Sequence, residues 1–183
     1  MHLVGAIEDI LATPPRCGAT HVIAIDGRAG SGKTTLAHEL FLALTGERTV
    51  HVINLDAIYA GWEKALGSSL TQALHQILDD FSQKKSTVVQ QFNWAKESFD
   101  TSQEISPCAL LIIEGVGSGQ KIVREYASAT IWLDIDPAVG LQRVLQRDGA
   151  GLSQRMHQWQ IDEDSLFESD KTRENADFVL STI

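Results

Sequence analysis

The run Gly27 to Thr35 carries the densest chemistry in the chain. It reads GRAGSGKTT, in which Gly27, four residues, Gly32, Lys33 and Thr34 complete the spacing G-x-x-x-x-G-K-[ST]. This spacing suits the wrapping of a phosphate chain. Gly27, Gly30 and Gly32 let the main chain turn tightly and approach oxygens closely. The amides of Ala29, Ser31 and Thr35 extend the run of donors. A helix opening directly after the loop aims its free N–H groups and its positive dipole end at the same anion. Lys33 supplies a cation for the outer phosphates, and Thr34 a hydroxyl for Mg²⁺. The plain alternative is a glycine-rich turn with a surface lysine. Arg28, inside the loop, is read as facing solvent and is given no role.

Two acids close apolar runs. Asp56 ends VHVINLD, where its carboxylate either accepts or orients the proton of a substrate hydroxyl, or caps the following turn. Glu114 ends LLIIE in the manner of a Walker-B acid, placed to hold Mg²⁺ through water or to position a substrate; an ordinary strand-end acid is the alternative. The six histidines have no metal-ligand spacing. Cys17 and Cys108 form no CxxC pair and read as two reduced thiols of a cytoplasmic protein.

These groups need elements to hold them. Apolar runs at 21–26, 50–56, 109–115, 130–136 and 177–182 read as strands, with 87–94 as one arm of a hairpin. Helical patterns lie between them: a short helix over IEDILAT before Pro14, Thr34 to Leu44 closed by Gly46, a stretch over 63–81 interrupted near Gly67, and a helix through Arg147 with Asp136 as N-cap and Pro137 in its first turn. Continuous apolar strands alternating with helices imply an α/β fold with a parallel sheet covered on both faces. Ligands of such sheets bind beyond the carboxyl ends of the strands, where Gly27, Asp56, Glu114 and Asp136 all fall.

Composition sets the outer bounds. With 183 residues, 43% of them hydrophobic, the chain suits one domain, 1–183. A net charge of −9, from 15 basic and 24 acidic residues, argues against a nucleic acid polymer or an anionic membrane as partner. No apolar stretch is long enough to cross a bilayer, and the first residues lack the charged start and apolar run of a signal peptide.

HVIAIDGRAGSGKTTLA, LDAIYAGW, LLIIEGVGSG and RVLQRDG together resemble the uridine kinase-like branch of P-loop nucleoside and small-molecule kinases, especially its small bacterial ATP-binding proteins. The similarity runs in order over about residues 20 to 180. It implies a three-layer α/β/α core, a small helical lid at approximately 137–160, ATP with Mg²⁺, and a small-molecule acceptor. Asp56 and Tyr59 keep the spacing of the family's Asp-x-Phe-Tyr segment, with Ile58 in place of its aromatic residue. Trp62 and Trp94 form either an aromatic wall for a planar substrate or part of the core, and Asn93 lies beside Trp94 in the hairpin. Arg143 and Arg147, four apart on one helix face, correspond to lid arginines that neutralise charge during transfer; a solvated basic face is the alternative. Arg155 opens the next helix. Arg173, in the loop before the last strand, either stacks on adenine or forms a surface salt bridge.

The expectation is therefore a kinase moving the γ-phosphoryl of ATP to a hydroxyl of a small metabolite, such as a nucleoside. The alternative is a nucleotide-binding regulator or slow ATPase with no acceptor. No N-K-x-D string points to guanine, and the D-x-x-G at Asp148 reads as a turn. The oligomeric state, homo-oligomer included, is left open.

Overall fold

The computed structural model describes residues 3–46 and 48–182. The elements are α1 (Leu3–Leu11), β1 (His21–Gly27), α2 (Lys33–Leu44), β2 (Val50–Asn54), α3 (Ser68–Ser82), β3 (Thr87–Asn93), β4 (Ser98–Ile105), β5 (Leu110–Glu114), α4 (Lys121–Arg124), β6 (Ala129–Asp134), α5 (Pro137–Asp148), α6 (Ser153–Asp170) and β7 (Phe178–Ser181). Short 3₁₀ turns occupy Leu55–Ala57 and Ala150–Leu152.

Five strands form one parallel sheet in the order β2-β5-β1-β6-β7. The two strands with the most uniform apolar sequence take inner positions: every residue of β1 and of β5 is buried. Period-two alternation then divides their side chains between two cores. Ile23, Ile25, Leu110 and Ile112 pack with Ile7 of α1 and Ala37 and Leu40 of α2. Val22, Ala24, Leu111 and Ile113 pack on the other face with Leu74 of α3, Val144 of α5 and Phe167 of α6. The result is three layers, helices on both faces of the sheet. Each fully buried Leu or Ile contributes roughly 1.5–3 kcal/mol, so the sheet is held from both sides.

Register brings the chemistry together. Ile25 of β1 pairs with Glu114 of β5, and Asn54 of β2 pairs with the same Glu114. The phosphate loop, Glu114 and the turn carrying Asp56 therefore leave the sheet at one edge. β3 and β4 form a separate antiparallel hairpin. Its turn is held by Asn93, whose Oδ1 accepts from the Ala95 and Lys96 amides and whose side-chain amide donates to Asp100.

Local details differ from the sequence pattern at several points. β2 stops at Asn54, whose side chain caps the 3₁₀ turn, so Asp56 lies in that turn rather than at the end of the strand. α1 spans Leu3–Leu11 instead of reaching Thr13. α2 ends at Thr45, whose N–H bonds to Phe41 O, and Gly46 takes no left-handed turn, so it is not the cap. The stretch expected to be helical from residue 63 is turn until Gly67, and α3 starts at Ser68. Gly67 is extended there (φ −89°, ψ −170°), which separates the turn from the helix. At α5 the expected start is present: Asp136 Oδ1 accepts from the amides of Ala138 and Val139, with Pro137 in the first turn.

Candidate active site

The phosphate loop turns through Gly27 (φ 140°), Gly30 (φ 80°) and Gly32 (φ 94°). These are left-handed or otherwise glycine-favoring angles that L side chains rarely adopt. α2 then begins at Lys33 with no side chain capping it, so its first amides are available to an external anion. Lys33 is buried, and its ammonium donates to the carbonyls of Gly27 and Arg28 at 2.8 Å each. Burial lowers its pKa, opposed by the carboxylates of Asp26, Glu163, Glu114 and Asp56.

A cavity of about 350 Å³ opens over the loop. Ala29, Gly30, Gly32, Lys33, Thr34 and Thr35 form its phosphate-loop side. Asp56, Tyr59 and Glu114 face them, and Arg143 and Arg147 reach in from α5. Thr34 Oγ1 donates to Glu114 Oε1 at 3.1 Å. Glu114 is buried, and desolvation raises its pKa against the pull of the Thr34 hydroxyl and Lys33. Asp56 is open to solvent on one side but recessed among protein atoms; burial raises its pKa, while Lys33 and Arg147 oppose the rise. Arg147 forms a two-point contact with Asp148 at 2.7 Å, and Arg143 Nη1 lies 3.4 Å from Gly30 O. The D-x-x-G expected to be a turn starts on the last residue of α5, Asp148, and passes through Gly149 (φ 101°) into the 3₁₀ turn Ala150–Leu152.

Aromatic rings close the far wall. Trp62 meets Trp94 edge-to-face at 5.4 Å and Trp159 at 5.9 Å, and Trp159 meets Tyr59 at 5.3 Å. Trp94 Nε1 donates to Asp56 O at 2.8 Å, which pins the hairpin to the Asp56 turn. Tyr59 is buried, its hydroxyl donating to Val116 O. Arg155 sits over the outer face of Trp62, 5.7 Å from the ring centre.

Four sequence-predicted residues stand apart from the cavity lining. Gly27 and Ser31 are buried in the loop's foundation. Asn93 is occupied by the hairpin turn. Arg173 is exposed and forms a two-point salt bridge with Asp134, the alternative the sequence left open for it.

Other residues at the site carried no motif. Asp26 is buried and accepts from the amides of Gly27, Gly117 and Gly119 at 2.7 to 3.0 Å, joining the phosphate loop to the loop after β5. Desolvation pushes its pKa up to about 6, against those three amides and Lys33. Arg28 does not face solvent freely as read: it pairs with Glu163 and Asp164 and lies over Phe167, all on α6. Gly140 on α5 carries the loop's close approach: a Cβ there would stand 2.7 Å from Ala29 O, and one on Gly30 would stand 2.3 Å from Gly140 O. The signals available were an acid at the end of an apolar strand, an acid inside an apolar helix stripe and a glycine inside a helix.

Residues 68–165, more than half the chain, match the Phosphoribulokinase / Uridine kinase family. That span begins after the phosphate loop, so the match does not rest on the loop motif. The uridine kinase of Staphylococcus aureus (strain JH9) is 26% identical over 144 residues, covering 71% of this chain and 69% of that protein. Among solved structures, a possible uridine kinase from Bacillus stearothermophilus superposes with a TM-score of 0.67 at 20% identity, covering 97% of this chain and 96% of the other. A candidate fructose transport system kinase from Silicibacter sp. TM1040 gives the same TM-score at 19% identity, covering 98% and 99%. At these identities the structures establish the fold, and the family match establishes the lineage: the chain belongs to the Phosphoribulokinase / Uridine kinase family of kinases.

Proposed function

We propose that the protein is an ATP-dependent phosphotransferase that moves the γ-phosphoryl of ATP to a hydroxyl of a small metabolite, with nucleosides as the first class to test. The observation that carries this is the shared cavity. The uncapped start of α2 and Lys33 lie on one side of it, and the Asp56 carboxylate faces them. A phosphate chain on the first side and a hydroxyl on the second would meet in the middle.

The loop amides and Lys33 hold the triphosphate. The acceptor oxygen attacks the γ-phosphorus, the bond from that phosphorus to the oxygen of ADP breaks, and Asp56 takes the hydroxyl proton. Its raised pKa suits it to hold that proton. Arg143 and Arg147 neutralise charge on the transferred group. Thr34 and Glu114, hard oxygen donors in contact, fit Mg²⁺, which binds through one or two carboxylates and the phosphates rather than a full protein cage. Among the described residues no group of three or more His, Cys, Asp or Glu forms such a cage. Mg²⁺ bound there would neutralise charge on the outer phosphates. Trp62, Trp94 and Tyr59 give the acceptor side an apolar, flat-walled character. No helix among the described residues is long and apolar enough to cross a membrane.

The test is Asp56→Asn, assayed for ADP release with a panel of nucleosides and sugars and for ATP affinity by calorimetry. Transfer should fall about 10²- to 10⁴-fold while ATP affinity stays near that of the wild type. Loss of both together in a folded variant would contradict the division of labour. Hydrolysis that no acceptor accelerates in the wild type would support the slow ATPase instead.

A further inference from the structure

The buried stripe of α6 reads Met156, Trp159, Glu163, Phe167. Three of these are what a core-facing helix face requires. The fourth is a carboxylate with no exposed surface. A buried acid is costly unless its bonds are met, and an apolar residue would have packed there without that cost. The bonds are met, and they point at the site. Glu163 Oε1 accepts from Arg28 Nη1 at 3.2 Å. Its Oε2 accepts from the Ala29 amide and from Trp159 Nε1, both at 3.1 Å. Glu163 does not line the cavity; it grips the phosphate loop from behind.

The contact continues. Trp159 leans edge-on against Tyr59 and Trp62, Trp62 against Trp94, and Trp94 donates to the main chain of Asp56. An unbroken set of packed rings and hydrogen bonds therefore runs from the Ala29 amide to the Asp56 turn. We infer that Glu163 is a positioning residue that, with Trp159, ties the phosphate loop to the aromatic wall, so that a nucleoside diphosphate held by the loop is felt at that wall. This rests on the nucleotide-binding reading above.

Glu163→Gln keeps the shape but sets an NH₂ group against donors. Trp159→Phe keeps a ring but removes the N–H. The full-length wild type, both variants and the double variant are titrated with ADP, followed by calorimetry and by tryptophan emission. In the wild type the emission should change as ADP saturates. Glu163→Gln should weaken ADP binding about tenfold and abolish that change. Trp159→Phe should weaken binding about threefold, and the double variant should bind no worse than Glu163→Gln, because the two side chains act as a unit. A folded Glu163→Gln with unchanged affinity and emission response would overturn the inference, as would strictly additive losses or ADP binding by the wild type without an emission change. Should Glu163→Gln fail to fold, unchanged affinity in Trp159→Phe decides against it. Absence of ADP binding by the wild type would instead remove the nucleotide reading, and this inference with it.

Discussion

Replacing Gly140 by alanine tests how far the phosphate loop depends on its backbone contact with α5. In an isolated helix this change is favourable by about 0.8–1.0 kcal/mol, because alanine loses less conformational freedom than glycine. Here the new Cβ would stand 2.7 Å from the carbonyl oxygen of Ala29. Ordinary carbon–oxygen contact begins near 3.4 Å, so the two backbones must separate by several tenths of an ångström. Both partners are main chain, and neither can swing aside as a side chain would. Overpacking of this kind costs about 1–3 kcal/mol. Set against the helix gain, the net is a loss of up to about 2 kcal/mol, a drop of a few degrees in the unfolding midpoint. The larger effect falls on binding. Ala29 and Gly30 belong to the loop that lines the cavity, and displacement of such a group by a sizeable fraction of an ångström costs up to about 10²-fold. ADP affinity by calorimetry should therefore fall by at least tenfold in a variant that still unfolds cooperatively within a few degrees of the wild type. Wild-type affinity would show that the contact does not set the loop's geometry, and the reasoning would fail. A Gly140→Ala protein more stable than the wild type would fail it equally.

The polar contacts of Asp26 and Asp136 give two further expected outcomes. Asp26 has a pKa raised to about 6 in the folded state, above the ordinary 3.8; between those values the folded state holds more protons than the unfolded, so this group's contribution is full below about pH 4 and is lost as pH rises through 6, a change of about 3 kcal/mol. Chemical denaturation of the wild type and Asp26→Asn at pH 4.5 and 7 should show the wild type losing more stability on going to pH 7, and parallel behaviour would refute it. Asp136→Ala removes the acceptor of the Ala138 and Val139 amides and should cost about 1 kcal/mol in urea unfolding; a loss under a few tenths would mean that water replaces the cap fully.

The fold was legible because its strands are written in unbroken apolar runs. HVIAID and LLIIE read as buried strands of a covered sheet, and both are fully buried, in inner positions. The phosphate loop was legible because its glycines answer to local backbone geometry, which sequence spacing records. What escaped the pattern depends on partners distant in sequence. Asp26 looks like one acid at a strand end until Gly117 and Gly119 fold over it. Glu163 looks like an error in an apolar stripe until α6 is laid across Arg28 and Ala29. Gly140 looks like a weak point in a helix until Gly30 is brought against it. Arg28 illustrates the same limit in reverse: a lone arginine in a loop reads as solvated, and only the placement of Asp164 and Glu163 on α6 shows where its charge goes.

The arrangement also resolves an apparent conflict between a net charge of −9 and a site proposed to hold a polyanion. Fixed side-chain charge around the loop does not favour an anion. Lys33 faces the carboxylates of Asp26, Glu163, Glu114 and Asp56. Arg28 is committed to Glu163 and Asp164, and Arg147 to Asp148. What remains directed at the cavity is Arg143, which lines it beside the loop, and the set of main-chain N–H groups at the uncapped start of α2, whose dipoles act over a short range and in one direction. Such a site attracts an anion that fits its concavity and offers nothing to one that approaches along a surface. A surface of this overall sign repels an extended phosphate backbone, while the proposed site would still take a compact phosphate chain threaded into the loop. The Lys33 ammonium is folded back on the carbonyls of Gly27 and Arg28, so a nucleotide bound as proposed would compete for Lys33 with the loop's own oxygens. On the proposed reading, selection for a phosphate chain would then rest on the ground-state geometry of the loop rather than on net charge.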